Sequence, residues 1–254
     1  MSQQAGYTFK RPEAHAVALL AARMQGIRED DIQALSDLTI LHRFVGRNRK
    51  ILQSGQHISR LKILCKGWAI RSIQLDDERR QILDFMLPGD PLGLHVDGAQ
   101  VSTCDVQALT ACEVAELELR EVEQLAVRRP AIAKGLRSHL TIQLLQANDQ
   151  VLRLGRMSAY ERLCSFLLDI YMRQRMRHFG NETVDFPITQ TVVADALGLS
   201  VVHVNRQVMQ LRREGLVTLT RRNLQVHDVK GLAAVARHRA AHFETNHQSL
   251  AAAE

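Results

Sequence analysis

The residues with the sharpest chemistry lie between Ile188 and Leu211, in the run ITQTVVADALGLSVVHVNRQVMQL. Val201, Val202, Asn205 and Arg206 fall on one side of a helix that would open after Ser200, and His203 stands among them. These types suit the edge of a base pair in the major groove. Arg bonds guanine O6 and N7 with both prongs, Asn pairs with adenine N6 and N7, and a Val methyl meets the methyl of thymine. Further on, Arg221 and Arg222 lie between two alternating runs, Leu216–Leu219 and Leu224–His227, at the tip of what reads as a hairpin. Guanidinium groups there are placed for phosphate or groove edges. From Ser200 to Lys230 six Lys or Arg stand against two acids, a net +4 within a chain of net +6. The plainer alternative is an ordinary helix pair with a solvated polar face.

Positioning these side chains requires particular elements. Thr189 can cap a short helix whose inner face is Val192, Val193, Ala196 and Leu197. Gly198-Leu199-Ser200 then reads as a three-residue turn in which Gly supplies a left-handed conformation and Ser200 caps the next helix. Small Ala194 suits a close crossing, and Val204, Val208 and Leu211 recur at 4 and 3 residues, facing back to the first helix. The result is a helix-turn-helix followed by a wing, with helix 201–214 placed for the groove.

Upstream, Leu38 to Leu119 consists of short apolar or alternating runs: Lys50–Leu52, Leu61–Cys65, Ala69–Ile73, Gln81–Met86 and Ala111–Leu119. Gly55, Gly67, Pro88-Gly89, Gly93 and Gly98 punctuate them, the pattern of an all-β module. Helical spacing of Ile27, Ile32, Leu35 and Leu38 predicts a helix within Gln25–Leu41. After Arg120 the period changes. Leu140, Leu144, Ala147, Val151 and Leu154 are separated by 4, 3, 4 and 3 residues, an a/d seam that fits either a homodimer or a helix lying on its own β-module. Gly155-Arg156-Met157 ends that helix, and Ser158 with Glu161 forms a capping-box signature for the next. That next helix carries Leu163, Phe166, Leu167, Ile170 and Tyr171 on one face and Arg162, Arg173, Arg175 and Arg177 mostly elsewhere. The predicted division is an all-β module with its leading helix at 1–120, the long helix of the a/d seam at 121–156, and a helix-turn-helix part with a C-terminal helix or tail at 157–254.

Composition fits this reading. The 254 residues are 46% hydrophobic and 24% charged, ordinary globular usage, and the pI is near 9.5. Charges interrupt every apolar stretch short of a membrane span, the longest uncharged segment being the polar Ser138–Asn148. Ala14–Ala22 contains His15, follows a polar decapeptide and makes a poor export signal, so the cytoplasm is the expected compartment. Cys65, Cys104, Cys112 and Cys164 lie 39, 8 and 52 residues apart with no C-x-x-C pair, which favours buried thiols over a redox switch. His238 and His242, with Glu244 and His247 nearby, could offer two imidazoles to zinc; spare tail histidines are the alternative, and no metal site is assigned. Without G-x-S-x-G, H-E-x-x-H, a phosphate loop or G-x-G-x-x-G, the chain is not expected to be an enzyme.

The order of parts resembles the CRP/FNR family of bacterial transcription regulators. The resemblance rests on Gly55, Cys65-Lys66-Gly67, Leu87-Pro88-Gly89-Asp90 with Gly93, ALTACEVAE from Ala108 to Glu116, and GLSVVHVNRQVMQLRREGLV from Gly198, with Arg206 at the usual arginine position. It implies an α+β fold: an N-terminal β-roll (a cyclic-nucleotide-binding-like jelly roll), a long dimerisation helix and a C-terminal winged helix-turn-helix. It further implies a homodimer that reads a pseudo-palindromic operator in double-stranded DNA, and RNA polymerase as a partner if the protein activates. Thr189, Ser200, Val201, Val202, His203, Asn205, Arg206, Arg221 and Arg222 are the expected DNA-binding residues, and Gly93, Leu94, His95, Ser102 and Thr103 the expected effector loop. Cyclic-nucleotide binders in this family carry Gly-Glu and Arg-Ser or Arg-Thr pairs there, whereas this chain has Gly93-Leu94 and Ser102-Thr103. Without that arginine and glutamate, phosphate and ribose lose their partners, so cyclic AMP is not expected to bind. An iron-sulfur cluster is not expected either, since the first cysteine is Cys65. His95 leaves haem without support. The effector stays open, and the alternative is a regulator answering to metal or redox state through His or Cys. Val202 replaces a glutamate common in the family, which predicts a different operator base at that position.

Overall fold

The computed structural model describes residues 12–24, 26–77, 79–94, 101–175 and 183–236. They form two compact units, Met1–Ser72 with Phe85–Gln143, and Ile73–Asp84 with Leu144–Glu254.

The first unit is a β-roll with helices on one side. One sheet has the order β1 (Ile40–Val45), β8 (Cys112–Glu118), β3 (Arg60–Lys66), β6 (Pro91–Leu92). The other has β2 (Lys50–Leu52), β7 (Asp105–Ala108), β4 (Ala69–Gln74), β5 (Arg80–Met86). The registers of β1 on β8, β3 on β8 and β4 on β7 are antiparallel. Alternation gives the first sheet two buried faces. Leu64, Val114 and Val45 join Leu52, Met86 and Val106 in the roll interior. Leu61, Ile63, Ala115 and Leu117 instead meet helix residues Ala16, Leu20, Leu35 and Val122. This is why Leu61–Cys65 reads as an unbroken apolar run instead of an alternating one.

Three strands, β1, β6 and β7, were not marked by the sequence pattern, and neither was α1 (Pro12–Ala21), which buries Ala16, Val17 and Leu20. The helix expected within 25–41 is shorter, α2 (Glu29–Ser36). It begins where the Arg28 amide donates to the Asp31 carboxylate at 3.2 Å, and the chain enters β1 four residues after it ends. The expected single helix over 121–156 is two, α3 (Leu119–Arg128) and α4 (Pro130–Arg156). Proline excludes the helical conformation from the residue before it, and Arg129 takes φ −128°, ψ 87°. Pro130 then serves as the first residue of α4, where its missing N–H costs nothing. Along α4, Leu144 and Val151 are 61% and 71% exposed, Ala147 is exposed, and Leu140 and Leu154 are half-buried.

In the second unit, α5 (Ala159–Arg175) begins at the expected capping box: the Ser158 amide donates to Glu161 Oε2 at 2.8 Å and the Glu161 amide to Ser158 Oγ at 3.3 Å. Leu163, Phe166, Leu167, Ile170 and Tyr171 are buried as the spacing predicts. Arg173, expected away from that apolar face, is buried as well. It is 6% exposed and pairs with Asp84 at 3.0 Å, so an acid 89 positions away draws it inward. The remaining elements are β9 (Thr183–Asp185), α6 (Gln190–Leu197), α7 (Val201–Arg213), β10 (Val217–Leu219), β11 (Asn223–Val226) and α8 (Val229–Val235). Strand order β10-β11-β9 makes the wing a three-stranded sheet in which β9 was not foreseen. Among the described residues no helix is long and apolar enough to cross a membrane.

Candidate nucleic-acid interface

Both helices of the motif are capped by the side chains the sequence nominated. Thr189 Oγ1 accepts from the Val192 amide at 3.3 Å, and Ser200 Oγ accepts from the His203 amide at 3.2 Å. Each satisfies an amide that the first helical turn leaves unpaired. Between them Gly198 has φ 61°, ψ 40°, and the Leu199 amide returns to the Ala194 carbonyl at 3.1 Å. A side chain in that conformation is strained, so the sharp turn selects glycine.

Burial then divides α7. Val204 and Leu211 are fully buried and Val208 is half-buried, while Val201, Val202, His203, Asn205 and Arg206 are exposed, Val202 at 77%. The five candidate reading residues therefore share the open side of the first turns. Ser200 Oγ also lies 3.4 Å from His203 Nδ1, which ties that imidazole to the cap. Two exposed valines side by side are costly in water, and their methyls are of the kind that meets a thymine methyl.

The wing is built by Thr220. Its amide donates to the Asn223 carbonyl at 2.9 Å, and its hydroxyl accepts from the Asn223 amide at 3.0 Å. Arg221 and Arg222 project between them, exposed. Sequence reasoning missed Arg212, whose Nη2 donates to the Leu219 carbonyl at 3.2 Å and fastens α7 to the wing.

The far end of α6 is held by residues that no local pattern marks. A helix C-terminus leaves carbonyls without partners. Here the Ala196 carbonyl accepts from Gln81 Nε2 at 3.1 Å and Gln150 Nε2 at 2.7 Å, and the Leu197 carbonyl from Arg162 Nη1 at 3.2 Å. Arg80 adds a pair to Asp195 at 2.6 Å. On α5 the Tyr160 hydroxyl donates to Glu214, just past α7, and Gln210 Nε2 donates to the same carboxylate at 2.8 Å. These two bonds, Tyr160's first, hold Glu214 below the usual carboxylate range. Burial and Glu214 together raise the phenol of Tyr160.

The expected effector loop is only partly gathered. His95 lies outside the described residues, as do His238, His242, Glu244 and His247. Gly93 has φ 76° beside Ile58 and Leu52, and Leu94 packs against the helix-side core. Ser102 is buried with its hydroxyl donating to the Cys104 carbonyl at 2.7 Å, whereas Thr103 is exposed. All four cysteines are free and buried. Burial pushes the Cys65 thiol up to about 11 and that of Cys164 up to about 12, and raises Cys104 and Cys112. Thiolate chemistry is thereby disfavoured.

Residues 161–235 match the Crp-like helix-turn-helix domain, and residues 42–129 match the cyclic nucleotide-binding domain. The residues that would have to hold a cyclic nucleotide do not fit one: Leu94 is turned to the helix-side core and the Ser102 hydroxyl is spent on the backbone. The nitrogen fixation regulation protein FixK of Bradyrhizobium diazoefficiens is 32% identical over 164 residues, 64% of this chain and 68% of the relative. The transcriptional activatory protein AadR of Rhodopseudomonas palustris is 34% identical over 164 residues, 64% and 67%. The structure of FixK2 from Bradyrhizobium japonicum shares the fold at a TM-score of 0.73 and 24% identity, over 80% of this chain and all of that one. With both domains matched and relatives that regulate transcription at this identity and coverage, this chain belongs to the CRP/FNR family of DNA-binding transcription regulators.

Proposed function

We propose that the chain acts in the cytoplasm, without enzymatic activity, as a homodimer that reads a pseudo-palindromic operator with α7 in the major groove. The observation that carries the proposal is the division of α7, with Val204 and Leu211 buried and Val201, Val202, His203, Asn205 and Arg206 open. Leu144, Ala147 and Val151 on α4, open and apolar, supply the face for a second copy, with Leu140 and Leu154 at its margins. Two recognition helices in a two-fold dimer would meet half-sites about one helical turn, roughly 10 bp, apart. Arg206 reads a base, Arg221 and Arg222 hold phosphate, and Thr189 and Ser200 orient the reading turn. An activator of this build would also contact RNA polymerase. Control by an effector in the β-roll is favoured over thiol redox because the cysteines are buried with raised thiols.

The test is selection of bound duplexes from a random pool. Arg206→Ala is expected to cost about 1–3 kcal/mol and relax the preference at one base pair per half-site. Arg221→Ala is expected to weaken all duplexes alike and flatten the salt dependence. An Arg206→Ala motif unchanged at every position would refute base reading by that residue.

A further inference from the structure

Arg153, in the last turn of α4, is a buried cation that bonds to no carboxylate among the described residues. It is 7% exposed, its Nη1 donates to Gln150 Oε1 at 2.6 Å, and its Nε donates to Ser165 Oγ on α5 at 3.2 Å. Burial holds the guanidinium below its ordinary value, against the fields of Asp169, Asp149 and Asp84. Arg173, also buried, is paired in the ordinary way, with Asp84 at 3.0 Å. Arg153 instead spends its hydrogen bonds on two neutral oxygens, one of them on its own helix.

A guanidinium taken from water is expensive, and an apolar side chain would fill the same space at less cost. What the guanidinium adds is direction. It has donors and no acceptor, so it faces only the oxygen end of the Gln150 amide. That turns Gln150 Nε2 the other way, to the Ala196 carbonyl at 2.7 Å, in the last turn of α6 and two residues before Gly198. A reversed amide would set donor against donor at Arg153 and oxygen against oxygen at Ala196. The Ala196 carbonyl also accepts from Gln81 Nε2 at 3.1 Å, so it keeps a partner when Gln150 is lost. The Gln150 bond is thus not needed to satisfy that carbonyl; it ties the end of α6 to α4.

We propose that Arg153 is a positioning residue for α7: held by Ser165, it orients the Gln150 amide, and through that amide α4 fixes the end of α6 and the turn from which α7 starts. Arg153 touches no part of the reading face and acts only through Gln150. The role rests on the reading of DNA by α7 for its use, but the relay Ser165–Arg153–Gln150–Ala196 is present in the free protein and is measured there.

The experiment is amide hydrogen exchange of the full chain without DNA, in wild type, Gln150→Met, Gln150→Glu, Arg153→Met and the double variant Gln150→Met with Arg153→Met. Each is also titrated with the duplex that the wild type selects from a random pool. Exchange over residues 196–204 is expected to quicken about two- to tenfold in Gln150→Met, the net worth of one hydrogen bond, while residues 163–171 keep the wild-type rate. Arg153→Met should show the same local loss and the double variant no more than either single one, because the two side chains act in series. Gln150→Glu keeps a bond from Arg153 but sets an oxygen against the Ala196 carbonyl, so it should exchange at least as fast as Gln150→Met. Affinity for the selected duplex should fall by a similar factor in all of them, with the preferred bases unchanged. Should Arg153→Met fail to fold, Arg153→Lys, which keeps the charge and loses the two-pronged hold on Gln150 and Ser165, takes its place. Wild-type exchange over 196–204 in Gln150→Met, quickening spread equally over 163–171, a double variant showing the product of the single effects, a Gln150→Glu variant that behaves as wild type, or unchanged duplex affinity would each overturn the positioning role. A wild type that selects no duplex would instead refute the reading by α7, and the exchange series would still decide the relay.

Discussion

Replacing Gly198 by Ala isolates the backbone contribution to the helix-turn-helix. At this position φ is +61°, and a Cβ would find nothing closer than 3.9 Å, Arg162 Nη1 and Leu154 Cδ2 being the nearest atoms. The penalty is therefore conformational and not steric, about 1–2 kcal/mol for an L residue held left-handed. Gly67 offers the contrast. Its φ is +88°, and an added Cβ would lie 2.3 Å from the Ala111 carbonyl oxygen and 2.8 Å from Thr110 Oγ1, so backbone must move. Gly67→Ala is expected to cost more than about 3 kcal/mol, in the range of overpacked core sites. Gly198→Asn should cost less than Gly198→Ala, because Asn visits this conformation more readily. Urea unfolding followed by circular dichroism, with fluorescence of buried Trp68 as a second probe, gives the three values in one series. Equal costs for Gly198→Ala and Gly67→Ala, or for Ala and Asn at 198, would refute the argument that conformation alone selects glycine in the turn.

The Tyr160–Glu214 bond needs a protonated phenol and an ionised carboxylate. Glu214 is lowered, so its share of stability is present above the ordinary carboxylate range and lost as pH falls through the folded value. Tyr160 is raised, so its share is full below about pH 10 and lost as pH rises through the folded value. The advantage of wild type over Tyr160→Phe in urea midpoint should thus be level from about pH 6 to 9 and shrink on both sides; a difference that persists unchanged into acid would count against the bond. Leu144→Asp with Val151→Asp should give monomers in sedimentation, and a double mutant that sediments as wild type would show the seam to be packing within the chain. With burial raising all four thiols, none should react with an aromatic disulfide at neutral pH until denaturant is added, and one fast thiol would contradict that protection.

What was legible in the sequence was local. The caps at Thr189, Ser200 and Ser158, the glycine at 198 and the buried spacing of α5 and α7 follow from neighbours within four residues, and each appears where its pattern puts it. The exposed face followed too, because an amphipathic helix that hides Val204 and Leu211 must show Val201, Val202, Asn205 and Arg206. What was not legible was set by partners far along the chain. Strand β1 has an edge place and exposed Leu41 and Phe44, so burial leaves no alternating imprint on it. Helix α1 reads as an apolar stretch because it is covered by strands more than forty residues away. The break at Pro130 was legible in principle, since the residue before a proline resists the helical conformation, but the a/d seam beyond it drew the reading into one continuous helix.

The same distinction separates the face proposed to read DNA from the contacts that aim it. Val201, Val202, Asn205 and Arg206 sit on the open side of α7 within six residues of the Ser200 cap. The end of α6, which sets where that helix begins, is instead fastened by Gln81, Gln150 and Arg162, amide and guanidinium donors spread over more than eighty positions. Neutral amides at two of the three make strong demands on geometry and weak ones on charge, so salt that strips phosphate contacts leaves this anchoring intact. Ionic strength should therefore tune the proposed hold of the wing and α7 on the backbone of DNA and screen the Arg80–Asp195 pair, while the amide hydrogen bonds of Gln81 and Gln150 at the end of α6 persist.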